Sequence, residues 1–200
     1  MFPTKSVFYK NAIFHTIMLL YIFSFACRSS EIFPSNHSSL SLLYGEGSKA
    51  KIQNIIGRKK LISPVSYLTG VEYRSPYIYQ LPIKLDTQIL KHFGRQHAFE
   101  VVVCPVIETS NVFLGKIGFT WAIGNGVSGL IGKYTNFEET KGVKTRRFLN
   151  YLLIEQNTFL KEYANYQLTL RWHHRCHVFG KIAPKGTGSN FFIIGIKYVM

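Results

Sequence analysis

The strongest constraint on this chain is a hydrophobic period of two, sustained over segment after segment. In 166–172, Tyr166, Leu168, Leu170 and Trp172 alternate with Gln167, Thr169 and Arg171. In 192–198, Phe192, Ile194, Ile196 and Tyr198 alternate with Gly195 and Lys197. Successive side chains of a strand point to opposite faces, so each segment predicts a strand with one apolar and one polar face. The stretch 77–90 reads the same way, with Tyr77, Tyr79, Leu81, Ile83, Leu85 and Ile89 set against Gln80, Pro82, Lys84, Asp86 and Gln88. Pro82 is its one blemish, because proline removes a ladder donor. Segment 113–123 places Phe113, Ile117, Phe119, Trp121 and Ile123 on one face. Segment 147–160 places Phe148, Leu152, Ile154 and Leu160 opposite Arg147, Tyr151, Glu155 and Asn157. Further strands are expected at 39–47, 66–74, 99–107 and 127–134.

Several of these runs approach ten residues, beyond the usual mode of about 5–6. Short connections (124–126 and 161–165) and long ones (136–145 and 175–189) separate them. Long amphipathic strands with aromatic ends predict an all-β fold, an antiparallel up-and-down membrane β-barrel. Its apolar faces would meet lipid, and Lys84, Asp86, Lys116, Arg147, Glu155, Arg171 and Lys197 would line the lumen. That set is mixed in sign, which suits a small filled barrel rather than an open pore. Nine segments can be drawn, but bacterial barrels have an even number of strands. About eight are therefore expected, with one N-terminal or central segment miscounted. The competing fold is a soluble β-sandwich or lipocalin-like barrel with its apolar faces turned inward.

Lys5 and Lys10 precede an apolar run from Ile17 to Ala26, and Ser24 and Ala26 flank Phe25 ahead of Cys27. This is the layout of a signal peptide, expected over 1–26, with the barrel domain over 27–200. A short membrane anchor and lipoprotein processing at Cys27 are the alternatives. The run is short for the first, and Ser24 and Phe25 do not suit the second. Beyond this leader no apolar run approaches the roughly 20 residues of a membrane helix. With 46% hydrophobic and 17% charged residues, the 200-residue chain is not intrinsically disordered, and three cysteines are too few for a disulfide scaffold.

Candidate chemistry is concentrated in Arg171-Trp172-His173-His174-Arg175-Cys176-His177. Continuing the alternation puts His174 and Cys176 on the lipid-facing side and His173 in the lumen. A titratable base and a nucleophile two residues apart on one strand face can meet laterally. On a hydrocarbon-facing wall that pairing suits a scissile bond in a lipid. The plainer readings are polar interfacial histidines and an inert small cysteine. Adjacent strand residues diverge, so at most two of the His and Cys side chains converge, and no metal is expected. Cys104 shares parity with Glu100 and should face the lumen, making a Cys104–Cys176 disulfide implausible.

At these residues the chain resembles the lipid A 3-O-deacylases, or acyloxyacyl hydrolases, of Gram-negative outer membranes. Their penultimate strand ends in His-x-Ser-Asn, followed by a Gly/Pro/Asn-containing loop and a final apolar strand. Here that reads His174-Arg175-Cys176-His177, then Pro184 to Asn190, then Phe191 to Met200. Thr145 to Phe148, Glu155-Gln156 and Leu43-Tyr44-Gly45 are similar to other parts of the family's pattern. The resemblance covers 39–200 and is sharp over 166–200. It implies a hydrolase that removes an ester-linked acyl chain from lipid A without a cofactor, with His174 as general base. Cys176 stands in place of the nucleophilic serine and His177 in place of an asparagine. The acidic member of the triad should fall near 188–190, yet none of residues 163–200 is Asp or Glu. Asn190 would orient the imidazole by a hydrogen bond without supplying charge. Backbone N–H groups after Cys176 would hold the oxyanion.

The formal charge of +14 has two functional readings, beside the plain one of solvated loop charge. Clusters at Arg58-Lys59-Lys60, 141–147 and 175–185 could bind nucleic acid, or the phosphorylated headgroups of lipopolysaccharide. A leader followed by long alternating strands argues against nucleic acid, the partner that a soluble basic β-domain would take. The sequence therefore predicts an outer-membrane protein partnered by lipid A, acting as an acyl-ester hydrolase. The alternative is the same barrel in a non-catalytic, structural or lipid-binding role.

Overall fold

The computed structural model describes residues 36–48, 66–78, 81–133, 138, 144–178, 181–184 and 187–200. The predicted leader and the Arg58-Lys59-Lys60 cluster lie outside the described residues. The described chain forms β1 (Ser39–Ser48), β2 (Ser66–Tyr77), β3 (Lys84–Gly94), β4 (His97–Glu108), β5 (Val112–Leu114), β6 (Ile117–Lys133), β7 (Phe148–Leu160), β8 (Tyr166–Cys176) and β9 (Gly188–Val199), with one 3-10 turn at Lys161–Tyr163. Every pairing is antiparallel, and β1 pairs with both β2 and β9. β4 pairs with β6 to complete the ring. Short β5 pairs with β6 just past the β4 ladder. β4 and β5 thus make one interrupted strand of the wall, and the closed barrel has eight.

The outer wall has the reverse of a soluble protein's surface polarity, while the interior holds charged groups beside an apolar cluster that includes Leu68, Leu90, Leu153 and Phe191. Leu168 and Leu170 are 46% and 49% exposed, Ile196 is 62% exposed, and Phe99, Ile123 and Ile154 also face outward. Inside, Glu72, Asp86, Glu155, Arg74, Arg171 and Lys197 are buried. Apolar side chains on a closed outer wall need hydrocarbon, and closure leaves no unpaired edge, the condition for a strand to cross a bilayer. Among the described residues no helix is long and apolar enough to cross one.

Burying charge without partners is costly, so the lumen is cross-linked by ion pairs. Arg74 meets Asp86 at 2.8 Å and Glu155 at 2.9 Å, Lys197 reaches Glu155 at 2.5 Å, and Arg171 bridges Glu72 and Glu155. Lys84 and Glu108 pair at 2.9 Å. A second group lies toward the other end, where His92 and His173 meet Glu100 at 2.6 and 3.1 Å. There Arg175 donates to Ser128 and pairs with Glu138, a residue of the β6–β7 connection. The barrel is filled, as its mixed charges predict.

Four sequence expectations are corrected. The run 77–90 is not one strand, because β2 ends at Tyr77 and Pro82 sits in the turn before β3, where its missing N–H breaks no ladder. Phe113 and Ile123 do not share a strand; the chain reverses at Gly115, whose φ of +63° is open to glycine without a Cβ penalty. Conversely, Gly124-Asn125-Gly126 is not a turn but lies within β6. A Cβ on Gly126 would lie 2.2 Å from the Val103 carbonyl oxygen, so glycine there lets β6 press against β4. Joining 117–123 to 127–133 removes the ninth strand. Finally, Lys116 and Arg147 do not line the lumen. Lys116 is at an exposed hairpin, 3.1 Å from Glu162, and Arg147 is exposed just before β7.

Candidate active site

The long connections 49–65, 134–147 and 177–187 all join strands at one end of the barrel, and both termini of the barrel lie at the other. β8 runs toward the long-connection end and finishes at Cys176. Strand alternation sends Arg171 and His173 into the lumen and Trp172, His174 and Cys176 to the outer wall, as predicted, and it also sends Arg175 into the lumen, which was not predicted. His173 and Arg175 are therefore engaged by the lumenal Glu100 and Glu138. They are not free groups beside the thiol, and Arg175 does not belong to an external basic cluster.

On the outer side, β8 and β9 are in register with His174 opposite Asn190. Asn190 Oδ1 lies 2.7 Å from His174 Nδ1 and 3.1 Å from Trp172 Nε1. An indole N–H only donates, so the atom it meets is the amide oxygen. That oxygen then accepts from a protonated His174 Nδ1, which leaves Nε2 as the basic nitrogen. His174 and Cys176 lie two residues apart on the same outward face of β8, which places the imidazole beside the thiol. Trp172 stacks on the imidazole, with centroids 5.1 Å apart and planes 26° from parallel, and holds the ring's orientation. The result is an Asn190–His174–Cys176 chain on the outer wall. A thiol, a correctly tautomerised imidazole and an orienting amide can together carry out nucleophilic attack on an acyl carbon.

Two further groups converge on the sulfur. Asn150 of β7 stands directly opposite Cys176 in the β7–β8 ladder, and its Nδ2 lies 3.7 Å from Sγ. The backbone N–H of Val178, two residues past Cys176, also lies close to it. Val178 has φ +46°, a left-handed conformation uncommon for a β-branched residue. His177 lies just past the strand, half-buried, with its carbonyl accepting from Ile182 N at 3.2 Å. Trp172, Asn150 and Val178 were not among the site residues expected from sequence. Trp172 was detectable, since it precedes His174 by two on the same face. Asn150 was not, since it is 26 positions from Cys176 and only strand register joins them.

Next to this chain a groove of about 620 Å³ runs over the outer wall, lined by Trp121, Ile154, Leu170, Trp172, Phe192 and Ile194 among others. Trp172 belongs to both groove and site. Cys104 is buried in the lumen, and both it and Cys176 are free thiols.

The fold defines a class, the eight-stranded antiparallel barrel of outer-membrane type. No protein-family model matches the chain, and no curated protein sequence matches it. Among solved structures it is similar to the outer membrane enzyme PagL, with a TM-score of 0.54 at 12% identity over 80% of this chain and 98% of that one. It is also similar to the N-terminal β-barrel domain of Pseudomonas aeruginosa OprF, with a TM-score of 0.47 at 9% identity over 83% and 98% of the two chains. Yersinia pestis outer membrane protein Ail gives 0.41 at 12% identity over 83% and 100%. At these identities the likeness to PagL establishes the fold and does not assign residues.

Proposed function

We propose that this protein is an outer-membrane hydrolase that cleaves an ester-linked acyl chain from lipid A. The observation that carries the reading is Asn190, His174 and Cys176 side by side on the hydrocarbon-facing wall, with Asn190 hydrogen-bonded to the imidazole. A water-soluble substrate has no reason to meet a nucleophile there, whereas a lipid ester reaches it by lateral diffusion. The apolar groove beginning at Trp172 suits an acyl chain, and the fold it shares with an outer membrane enzyme is compatible with catalysis.

In this reading His174 Nε2 takes the Cys176 proton as Sγ attacks the ester carbonyl carbon. The tetrahedral intermediate expels the sugar hydroxyl, which receives that proton from His174, and leaves a thioester on Cys176. A water deprotonated by the same imidazole then releases the fatty acid and restores the thiol. Asn190 orients the ring throughout. It supplies no negative charge to the imidazolium, so turnover should be slower than with a carboxylate in its place.

Charge supports the orientation with long connections outward. The lumenal network takes six of the ten acidic residues (Glu72, Asp86, Glu100, Glu108, Glu138 and Glu155) and five of the 24 basic ones. Nineteen basic and four acidic residues remain elsewhere, and the segments 49–65, 134–147 and 177–187 hold many of the basic ones. Those segments would face the phosphates of lipopolysaccharide.

Mass spectrometry of lipid A from cells with and without the protein tests the reading. Loss of one acyl chain that depends on both His174 and Cys176 is the expected result. Unchanged lipid A on expression of the native chain sinks it and leaves a non-catalytic barrel with a structural or lipid-binding role, the reading that the missing carboxylate favours.

A further inference from the structure

The Asn150 amide is no part of the relay from Asn190 to Cys176, yet it is directed at the sulfur. We propose that Asn150 is a catalytic residue whose amide N–H, with the backbone N–H of Val178, forms the cradle for the oxygen of a carbonyl attacked by Cys176. This assignment rests on the ester-cleaving reading above and adds to it the group that holds the developing negative charge.

Geometry supports it from two sides. Asn150 comes from the neighbouring strand, in register with Cys176, with Nδ2 3.7 Å from Sγ. Val178 comes from the turn after β8, two residues past Cys176, so its N–H lies close to the same sulfur. Its positive φ is a conformation that a β-branched residue adopts only when its surroundings impose it, and such residues cluster at functional sites. Both donors now serve the thiol. When sulfur bonds to a carbonyl carbon, the lone pair they address is consumed. At that same step negative charge appears on an oxygen attached to that carbon. Donors already placed beside the sulfur can pass to that oxygen without backbone rearrangement, which is how preorganised dipoles favour a transition state. The amide is also neutral, so it adds no charge to a lipid-facing rim.

A competing role for Asn150 is to stabilise the thiolate before attack, and two reagents separate the two. A long-chain alkyl trifluoromethyl ketone adds to Cys176: the thiol proton passes to His174 and a C–S bond forms as the carbonyl π pair moves to oxygen, with no leaving group. Iodoacetamide forms a C–S bond as iodide departs, and no oxyanion arises. The full chain in detergent micelles is titrated with the ketone by ¹⁹F NMR, and its alkylation rate is followed by intact mass across pH. Asn150→Ala should weaken the ketone adduct about 100-fold, while the alkylation rate and its pH profile stay within about twofold. Asn150→Asp keeps the side-chain shape but loses the donor, so it should weaken the adduct as well. Unheated gel mobility reports that each variant is folded. An equal loss in both reactions, an unaffected ketone adduct, or no adduct on the native chain overturns the proposal. Lipid A profiles of the same strains are read separately. A normal cradle with unchanged lipid A would refute the deacylase reading and leave this assignment standing.

Discussion

His173 and His174 are neighbours in sequence but belong to opposite halves of the molecule. His173 points into the lumen, fully buried, and has the carboxylate partner expected in a hydrolase, Glu100 at 3.1 Å. It has no access to substrate, and Glu100 is also engaged by His92, Ser128 and Arg175. His174 points outward and has a nucleophile and a route to lipid, but its orienting partner is the neutral Asn190. The lumen neutralises formal charge with formal charge, which fills the barrel without leaving buried charges unpaired. The site uses neutral dipoles, which hold an imidazole in one tautomer but give its protonated form no counter-charge. One 180° step along a strand separates a lumenal histidine from an outward-facing one.

Breaking the outer half alone should give the largest effect. Cys176→Ala or His174→Ala should reduce lipid A deacylation by about 10⁴-fold or more, measured by mass spectrometry. The urea midpoint in detergent should not change, because neither side chain supports the lumen. A shifted midpoint would make these residues structural. Breaking the inner half should do the reverse. Glu100→Ala leaves His92, His173 and Arg175 facing one another without their shared anion, and should cost about 3–5 kcal/mol of unfolding free energy. A stability loss below about 1 kcal/mol would mean the network adds little beyond filling space.

Asn190→Asp gives His174 the kind of partner His173 already has. If the amide limits turnover, deacylation should rise about 100-fold, a fraction of what the reverse change costs a serine protease triad. A fall in rate would show that the relay requires a neutral orienting group. The smallest expected effect belongs to Trp172→Phe. The ring can still stack on His174, but the N–H to Asn190 is lost, a bond worth about 1 kcal/mol, so the rate should drop about fivefold. No change would remove Trp172 from the positioning of the site.

Much of this protein was legible in its sequence, for a physical reason that also sets the limit. Alternation reports which face each residue takes, so Leu168, Leu170 and Trp172 outward and Arg171 and Lys197 inward followed directly, as did His174 and Cys176 on one side. Alternation is less informative about where a strand ends. Gly124-Asn125-Gly126 has the composition of a turn yet runs through β6, because a close approach to β4 and a true reversal both call for glycine. Arg147 and Lys116 have lumenal parity but lie at or beyond strand ends, where parity has no meaning.

The chain's own pattern determined an inside-out barrel of about eight strands with an imidazole and a thiol on its greasy face, since side-chain direction is a local property of extended backbone. The tertiary structure decided who meets whom across the ladders. Asn190 opposite His174, Asn150 opposite Cys176 and Glu138 on Arg175 depend on register and on connections between distant segments. No local periodicity encodes register, because sliding one strand by two residues preserves every face and changes every partner.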